Sequence, residues 1–262
     1  MCLILFGYHL HPDIPFILAA NRDECYQRPS APLHFWEDNP SLLAGRDLKD
    51  RGTWMGITRS GRFAALTNFR APHLLKTGAP SRGHLVRRFL EASGSGKSYL
   101  DQLAATAATY NPFNLLVSDD IRSPERLWFY SNQSDRPMPV SPGVHGLCNH
   151  LLDTPWPKVT RATAQLQREA ATGRISEARI QTLLCDETRP EDAALPDTGM
   201  GLEWEQILSP IFIRSDCYGT RSASLLQLDT SGTLRVTEWT YPTRPPSPIP
   251  TGSRREQFTI TP

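Results

Sequence analysis

The order of strand-like and helix-like segments constrains this chain more than any one motif. Short apolar runs bounded by turn residues come in pairs at both ends, and helical periodicity is confined between them. Residues 2–8 (CLILFGY) and 16–20 (FILAA) flank a Pro-containing turn and read as a hairpin. Residues 53–58 and 62–68 are joined by Arg59-Ser60-Gly61, residues 113–118 and 126–130 by a polar turn, and residues 220–228 and 234–239 by Asp229-Thr230-Ser231-Gly232. Helical spacing predicts helices over 83–92, 99–108, 159–171 and 176–184. This is not the βαβ alternation of a parallel sheet, so the expected class is α+β, with antiparallel sheets covered by helices.

The 262 residues include 23 prolines, which favour turns and loops over a helical bundle. Hydrophobic residues make up 39% and charged residues 21%, a globular balance, and the length suits one large domain. The expected division is one domain over residues 1–241 and a loosely packed Pro-rich extension over 242–262. A net charge of +1 offers no electrostatic footprint for nucleic acid. No run approaches the ~18 apolar residues of a membrane span, and no basic segment precedes the first apolar run as in a signal peptide. The expected location is therefore the cytoplasm.

Five cysteines, at 2, 25, 148, 185 and 217, are odd in number and lack a CxxC pair. Neither a disulfide framework nor a structural zinc site is expected, and Cys185 and Cys217 read as small buried hydrophobes. His9 and His11 read as loop histidines, with no carboxylate or thiol spaced to complete a metal site. Gly94-Ser95-Gly96-Lys97-Ser98 ends like a phosphate-binding loop. The full motif requires a Gly where Glu91 stands, and a strand before it where a helix is predicted. It reads as a helix–helix connection.

Cys2 differs from the other cysteines by position. Removal of Met1 would leave a thiol and a free α-amine on one residue. An α-amine with a reference pKa of about 7.7 can take the proton of its own thiol. Asn21-Arg22-Asp23-Glu24 follows the second apolar run, and hairpin pairing brings it near Cys2. A guanidinium there lowers a thiol pKa, and an Asp can accept a hydrogen bond from the α-amine. Because adjacent strand residues face opposite ways, a straight strand groups either Arg22 with Glu24 or Asn21 with Asp23. The competing reading is a solvated strand end. Asn68 and Asn149 close apolar runs, where an amide donates to an oxyanion or forms a turn. Arg221 opens a strand and suits a substrate carboxylate.

The wording of these segments resembles the NRDE family, also called the transport and Golgi organisation family. The residues that carry the resemblance are Met1-Cys2-Leu3-Ile4, Leu18-Ala19-Ala20-Asn21-Arg22-Asp23-Glu24, Arg28-Pro29, Leu43-Ala44-Gly45-Arg46-Asp47 and Gly52-Thr53-Trp54-Met55-Gly56. Ala65-Leu66-Thr67-Asn68-Phe69-Arg70, Ser81-Arg82-Gly83, Gly146-Leu147-Cys148-Asn149, Thr154-Pro155-Trp156-Pro157-Lys158 and Tyr218-Gly219-Thr220-Arg221-Ser222 extend it along the chain.

The family is similar to N-terminal nucleophile hydrolases of the choloylglycine hydrolase and penicillin acylase type. That likeness implies a four-layer αββα sandwich and cleavage of a linear amide in a small acylated amine. It further implies Cys2 as nucleophile, Arg22 assisting the thiol, Asp23 holding the α-amine and Asn149 in the oxyanion hole. Asn68 and Arg221 are weaker matches to a second hole residue and a distal Arg. Such hydrolases place their Arg and Asp three residues apart, whereas Arg22 and Asp23 are adjacent and residue 25 is Cys. Asn21 and Glu24 therefore stay open as alternatives for the Asp role. Family association also implies a second reading, a non-catalytic carrier of an apolar ligand such as haem or lipid. No cofactor or metal is expected for the hydrolase.

Overall fold

The computed structural model describes residues 2–123, 126–173, 175–244 and 246–261. Two sheets stack face to face. The first has the order β10-β1-β2-β11-β12-β13. Its strands are β1 (Cys2–His11), β2 (Ile14–Cys25), β10 (Gly143–Leu147), β11 (Tyr218–Leu228), β12 (Thr233–Thr240) and β13 (Gly252–Thr259). The second runs in simple sequence order: β3 (Ser30–Trp36), β4 (Asn39–Asp47), β5 (Met55–Thr58), β6 (Phe63–Asn68), β7 (Phe113–Ser118), β8 (Leu127–Ser131) and β9 (Met138–Pro139). Every pairing is antiparallel.

The near-continuous apolar runs of β1 and β2 follow from coverage on both faces. Ile4, Phe6, Phe16 and Leu18 point between the sheets, where they meet Leu43, Ile57, Phe63 and Phe129. Leu3, Leu5, Ile17 and Ala19 point the other way, onto the apolar stripes of α3 (Pro157–Ala170) and α4 (Glu177–Leu184). Across the molecule, α1 (Gly83–Glu91) and α2 (Gly96–Ala104) cover the second sheet through Leu85, Val86, Phe89, Leu90 and Leu100. The four layers are thus helix, sheet, sheet, helix, as the family resemblance implies. A short α5 (Leu202–Ile207) follows α4. Helix α3 lies so close to β10 that a Cβ on Gly146 would come within 2.5 Å of Val159 Cγ1. Only glycine permits that approach.

The sequence locates α1, α3 and α4 to within two residues at each end, but α2 begins at Gly96 and ends at Ala104, not 99–108, so Gly96-Lys97-Ser98 of the expected connection form its first turn. The chain also ends α1 before the Gly94-Ser95 connection, where Gly94 has φ +105° and Ser95 caps α2. Other expectations change. His9, read as a loop residue, lies within β1 at φ +53°, beside a register irregularity between Tyr8 and His11. Cys217 is exposed and Cys185 half-buried, so neither is a core hydrophobe. The Pro-rich tail is not loose along its length. Residues 252–259 form edge strand β13, paired with β12, and Phe258 and Ile260 enter the inter-sheet core. The strand was hidden because its pattern, GSRREQFT, buries one side chain alone. Pro262 lies outside the described residues.

Truncating a buried Phe typically costs about 3 kcal/mol. Phe258→Ala is therefore expected to lower unfolding free energy by about that much in urea titrations. A loosely attached tail would show no change.

Candidate active site

Antiparallel register builds the site. Cys2 pairs with Arg22 and Leu3 with Asn21 along β1 and β2. On β1 the even-numbered residues face the second sheet, so Cys2 opens between the sheets at their end, and Arg22 shares its face. Asn21 falls on the opposite, helix-covered face. Its amide donates to Leu184 O at 2.8 Å and Ile211 O at 2.9 Å. Asn21 therefore fastens the C-terminal end of α4 to the sheet and does not meet the thiol. The cluster 21–24 is not a solvated strand end, because Asn21, Arg22 and Asp23 are all buried inside β2.

A cavity of about 240 Å³ opens there, lined among others by Cys2, Arg22, Asp23, Glu24, Arg28, Trp54, Leu66, Asn68 and Arg82. The guanidinium of Arg22 stacks over Trp54 at 4.1 Å, which shields it and fixes its direction. Its Nη1 lies 3.4 Å from Ser30 Oγ. Arg28 gathers the acids of the rim: Asp47 and Asp50 each lie 2.6 Å from its Nη2, and Glu24 lies 3.9 Å from its Nε. Glu24 also accepts from the Cys25 backbone N–H at 2.8 Å.

Asp23 backs the cavity from the helix-covered side of the sheet. Its Oδ1 accepts from Thr220 Oγ1 at 2.7 Å, and its backbone carbonyl accepts from Tyr218 Oη at 2.8 Å. Burial pushes its carboxyl above the usual range, opposed by the charge of Lys158 and by the Thr220 bond. Lys158 is itself buried on α3, donating to Leu208 O at 2.7 Å. Burial also pushes the Cys2 thiol up, while the Arg22 guanidinium and a hydrogen bond from the Asp23 backbone oppose it. The net effect favours the protonated thiol over the thiolate. Met1 lies outside the described residues.

Besides Asn21, two sequence candidates, Asn149 and Arg221, stand apart from the cavity lining. Asn149 is buried, and its amide donates to Asn68 O at 2.9 Å, holding the end of β6. The Asn68 side-chain amide, by contrast, lines the cavity with no hydrogen-bond partner among the described residues. Arg221 occupies the irregularity between Thr220 and Ser222 in the β2–β11 register. Its Nη1 donates to the carbonyls of Cys25 and Arg28 at 3.0 Å each, so it braces the turn that presents Arg28. Reasoning from the residues missed Trp54, Arg82, Lys158 and Thr220. Each stands in a segment that carries the family resemblance, and that was their one signal. Among the described residues no cluster of His, Cys, Asp or Glu is arranged to hold a metal, and no helix is long and apolar enough to cross a membrane.

The fold and site define a four-layer αββα protein with a thiol at the open end of a central strand. The family model for Transport and Golgi organisation 2 matches residues 1–243, and the chain belongs to that family. The "Transport and Golgi organization protein 2 homolog" of Bos taurus is 35% identical over 256 residues, spanning 91% of this chain and 92% of the relative. The Homo sapiens homolog is 34% identical with the same coverage. Transport and Golgi organization protein 2 of Drosophila melanogaster is 28% identical over 268 residues, with 92% of each chain covered. Among solved structures, a Caenorhabditis elegans N-acylethanolamine-hydrolyzing acid amidase ortholog has a TM-score of 0.46 at 10% identity, covering 86% of this chain and 92% of that one. The mutant C2A conjugated bile acid hydrolase from Clostridium perfringens has a TM-score of 0.41 at 10% identity, covering 100% and 97%.

Because the fold favours the protonated thiol, Cys2 contributes stability below the thiol's unfolded pKa and loses it as pH rises past the folded value. Alkylation of Cys2 by iodoacetamide, resolved by peptide mapping, is expected to rise with pH through a midpoint above the free-cysteine value of about 8.5. Arg22→Met is expected to move that midpoint higher still.

Proposed function

We propose that this protein is an N-terminal cysteine amidohydrolase that cleaves the linear C–N amide bond of a small acylated amine. The observation that carries the reading is the Cys2–Arg22 register. It supports a thiol held at the mouth of a closed sheet stack, beside a fixed cation and within a cavity of small-molecule size.

In this reading Met1 is removed, and the α-amine of Cys2 is the proton acceptor. Cys2 Sγ attacks the amide carbonyl carbon while its proton passes to the α-amine. The oxyanion that forms accepts a hydrogen bond from the Asn68 amide. The sequence resemblance assigned that role to Asn149; we assign Asn149 to positioning, because Asn68 lines the cavity and Asn149 does not, one of its amide hydrogens being given to Asn68 O. As the C–N bond breaks, the ammonium returns its proton to the leaving nitrogen and an acyl-thioester remains. Water then attacks the thioester, giving one proton to the α-amine, which passes it back to sulfur. Arg22 stabilises developing negative charge at sulfur, and Asp23 accepts a hydrogen bond from the α-amine and orients it.

The carrier reading gains no support from the cavity. Its lining is dominated by charged and amide side chains, which give haem or a lipid chain little apolar surface. The test is mass spectrometry of the purified protein. The expected result is a mass lacking Met1, and a further mass increase with a thiol-reactive acyl probe that maps to Cys2 and is absent in Cys2→Ala. Retention of Met1 overturns the mechanism.

A further inference from the structure

We propose that Arg82 anchors an oxyanion on the substrate, a carboxylate or phosphate monoester set apart from the scissile amide. The word substrate here rests on the hydrolase reading; the binding site itself does not.

Arg82 stands at the N-cap of α1, and its guanidinium lines the same cavity as Cys2. Its base is held rigidly. Thr53 N–H donates to Gly83 O at 3.2 Å, and a Cβ on Gly52 would come within 2.6 Å of the Gly83 backbone. The guanidinium is aimed by one bond, Nη1 to Pro112 O at 2.8 Å. Nε and Nη2 have no partner among the described residues, and no carboxylate there lies within 4.0 Å of the group. Burial lowers its pKa, and the nearby Glu24 carboxylate opposes that shift.

The acids of the cavity do not answer this cation. Asp47 and Asp50 lie 2.6 Å from Arg28, and Glu24 is divided between Arg28 and the Cys25 amide. Arg22 is occupied with Trp54. Arg82 therefore stands at the cavity with Nε and Nη2 unanswered by any carboxylate among the described residues, whereas Arg22 lies beside the thiol with its face on Trp54 and Nη1 on Ser30 Oγ. An arginine stays charged even when burial lowers its pKa, and its planar fork matches the two oxygens of a carboxylate or phosphate. A neutral lipid amide offers such a group a single carbonyl acceptor and no opposite charge. The amides that fit carry an anionic head on the acyl or the amine half.

Calorimetric titration of the full chain tests this without requiring turnover. Succinate, glycerol 2-phosphate and the neutral analogue succinamide are the probes. Saturable binding of at least one anion is expected in the low-millimolar range or tighter, with none for succinamide, and the anion that binds identifies the oxyanion. Arg82→Met is expected to weaken that binding at least tenfold, and Arg82→Lys to retain part of it. Cys2→Ala is expected to bind as the wild type does, so loss of hydrolysis and loss of the anchor are read separately. If neither anion saturates on the wild type, or if folded Arg82→Met binds unchanged, the proposal fails.

Discussion

The pairing of β1 with β2 in the register Cys2↔Arg22 is the constraint on which the site depends. A shift of one residue would send Cys2 to the helix-covered face and bring Leu3 to the cavity. The register is held on both faces by apolar burial, with Ile4, Phe6 and Leu18 on one side and Leu3, Leu5 and Ile17 on the other. It is held again by Asn21, whose two bonds to Leu184 O and Ile211 O can form in that register alone. Core packing and a buried amide thus fix where the Cys2 thiol sits.

Around that thiol the protein buries several ionisable groups and answers each in a different way. Arg22 is answered by an aromatic face, Asp23 by a hydroxyl and the charge of Lys158, and Arg28 by the carboxylates of Asp47 and Asp50. Buried polar groups are costly unless satisfied, and these networks need exact strand ends to close. The bulge at Arg221 serves this purpose. It lets β11 present Thr220 to Asp23 while Arg221 itself reaches the Cys25–Arg28 turn.

Much of this was legible from residue pattern, and the rest was hidden for physical reasons. The helices were readable because each has one apolar stripe, as in Leu85, Val86, Phe89 and Leu90. The edge strands were not. β3 carries Pro32 and half-buried positions on both faces, β10 carries two glycines, and β13 carries three charges in a row, Arg254-Arg255-Glu256. Alternation along β2 sets Arg22 and Glu24 on one face and Asn21 and Asp23 on the other, yet Arg22, Asp23 and Glu24 all line the cavity. It could not say that Asn21 would be spent on carbonyls from distant segments. Nor could it choose between Asn68 and Asn149, because that choice lies in which of two residues 81 positions apart lines the cavity. Arg82 joins the cavity from the second sheet's helix layer, and no local periodicity encodes that meeting.

The central claim is that the α-amine of Cys2 serves the thiol of the same residue. It is tested most directly by comparing chains released by a specific protease to begin either at Cys2 or at one glycine ahead of it. A general base typically contributes about 10²–10⁴ in rate. The account predicts that acylation at Cys2 is at least about a hundredfold slower in the glycine-extended chain, with folding unchanged. Equal acylation rates in the two chains would contradict it.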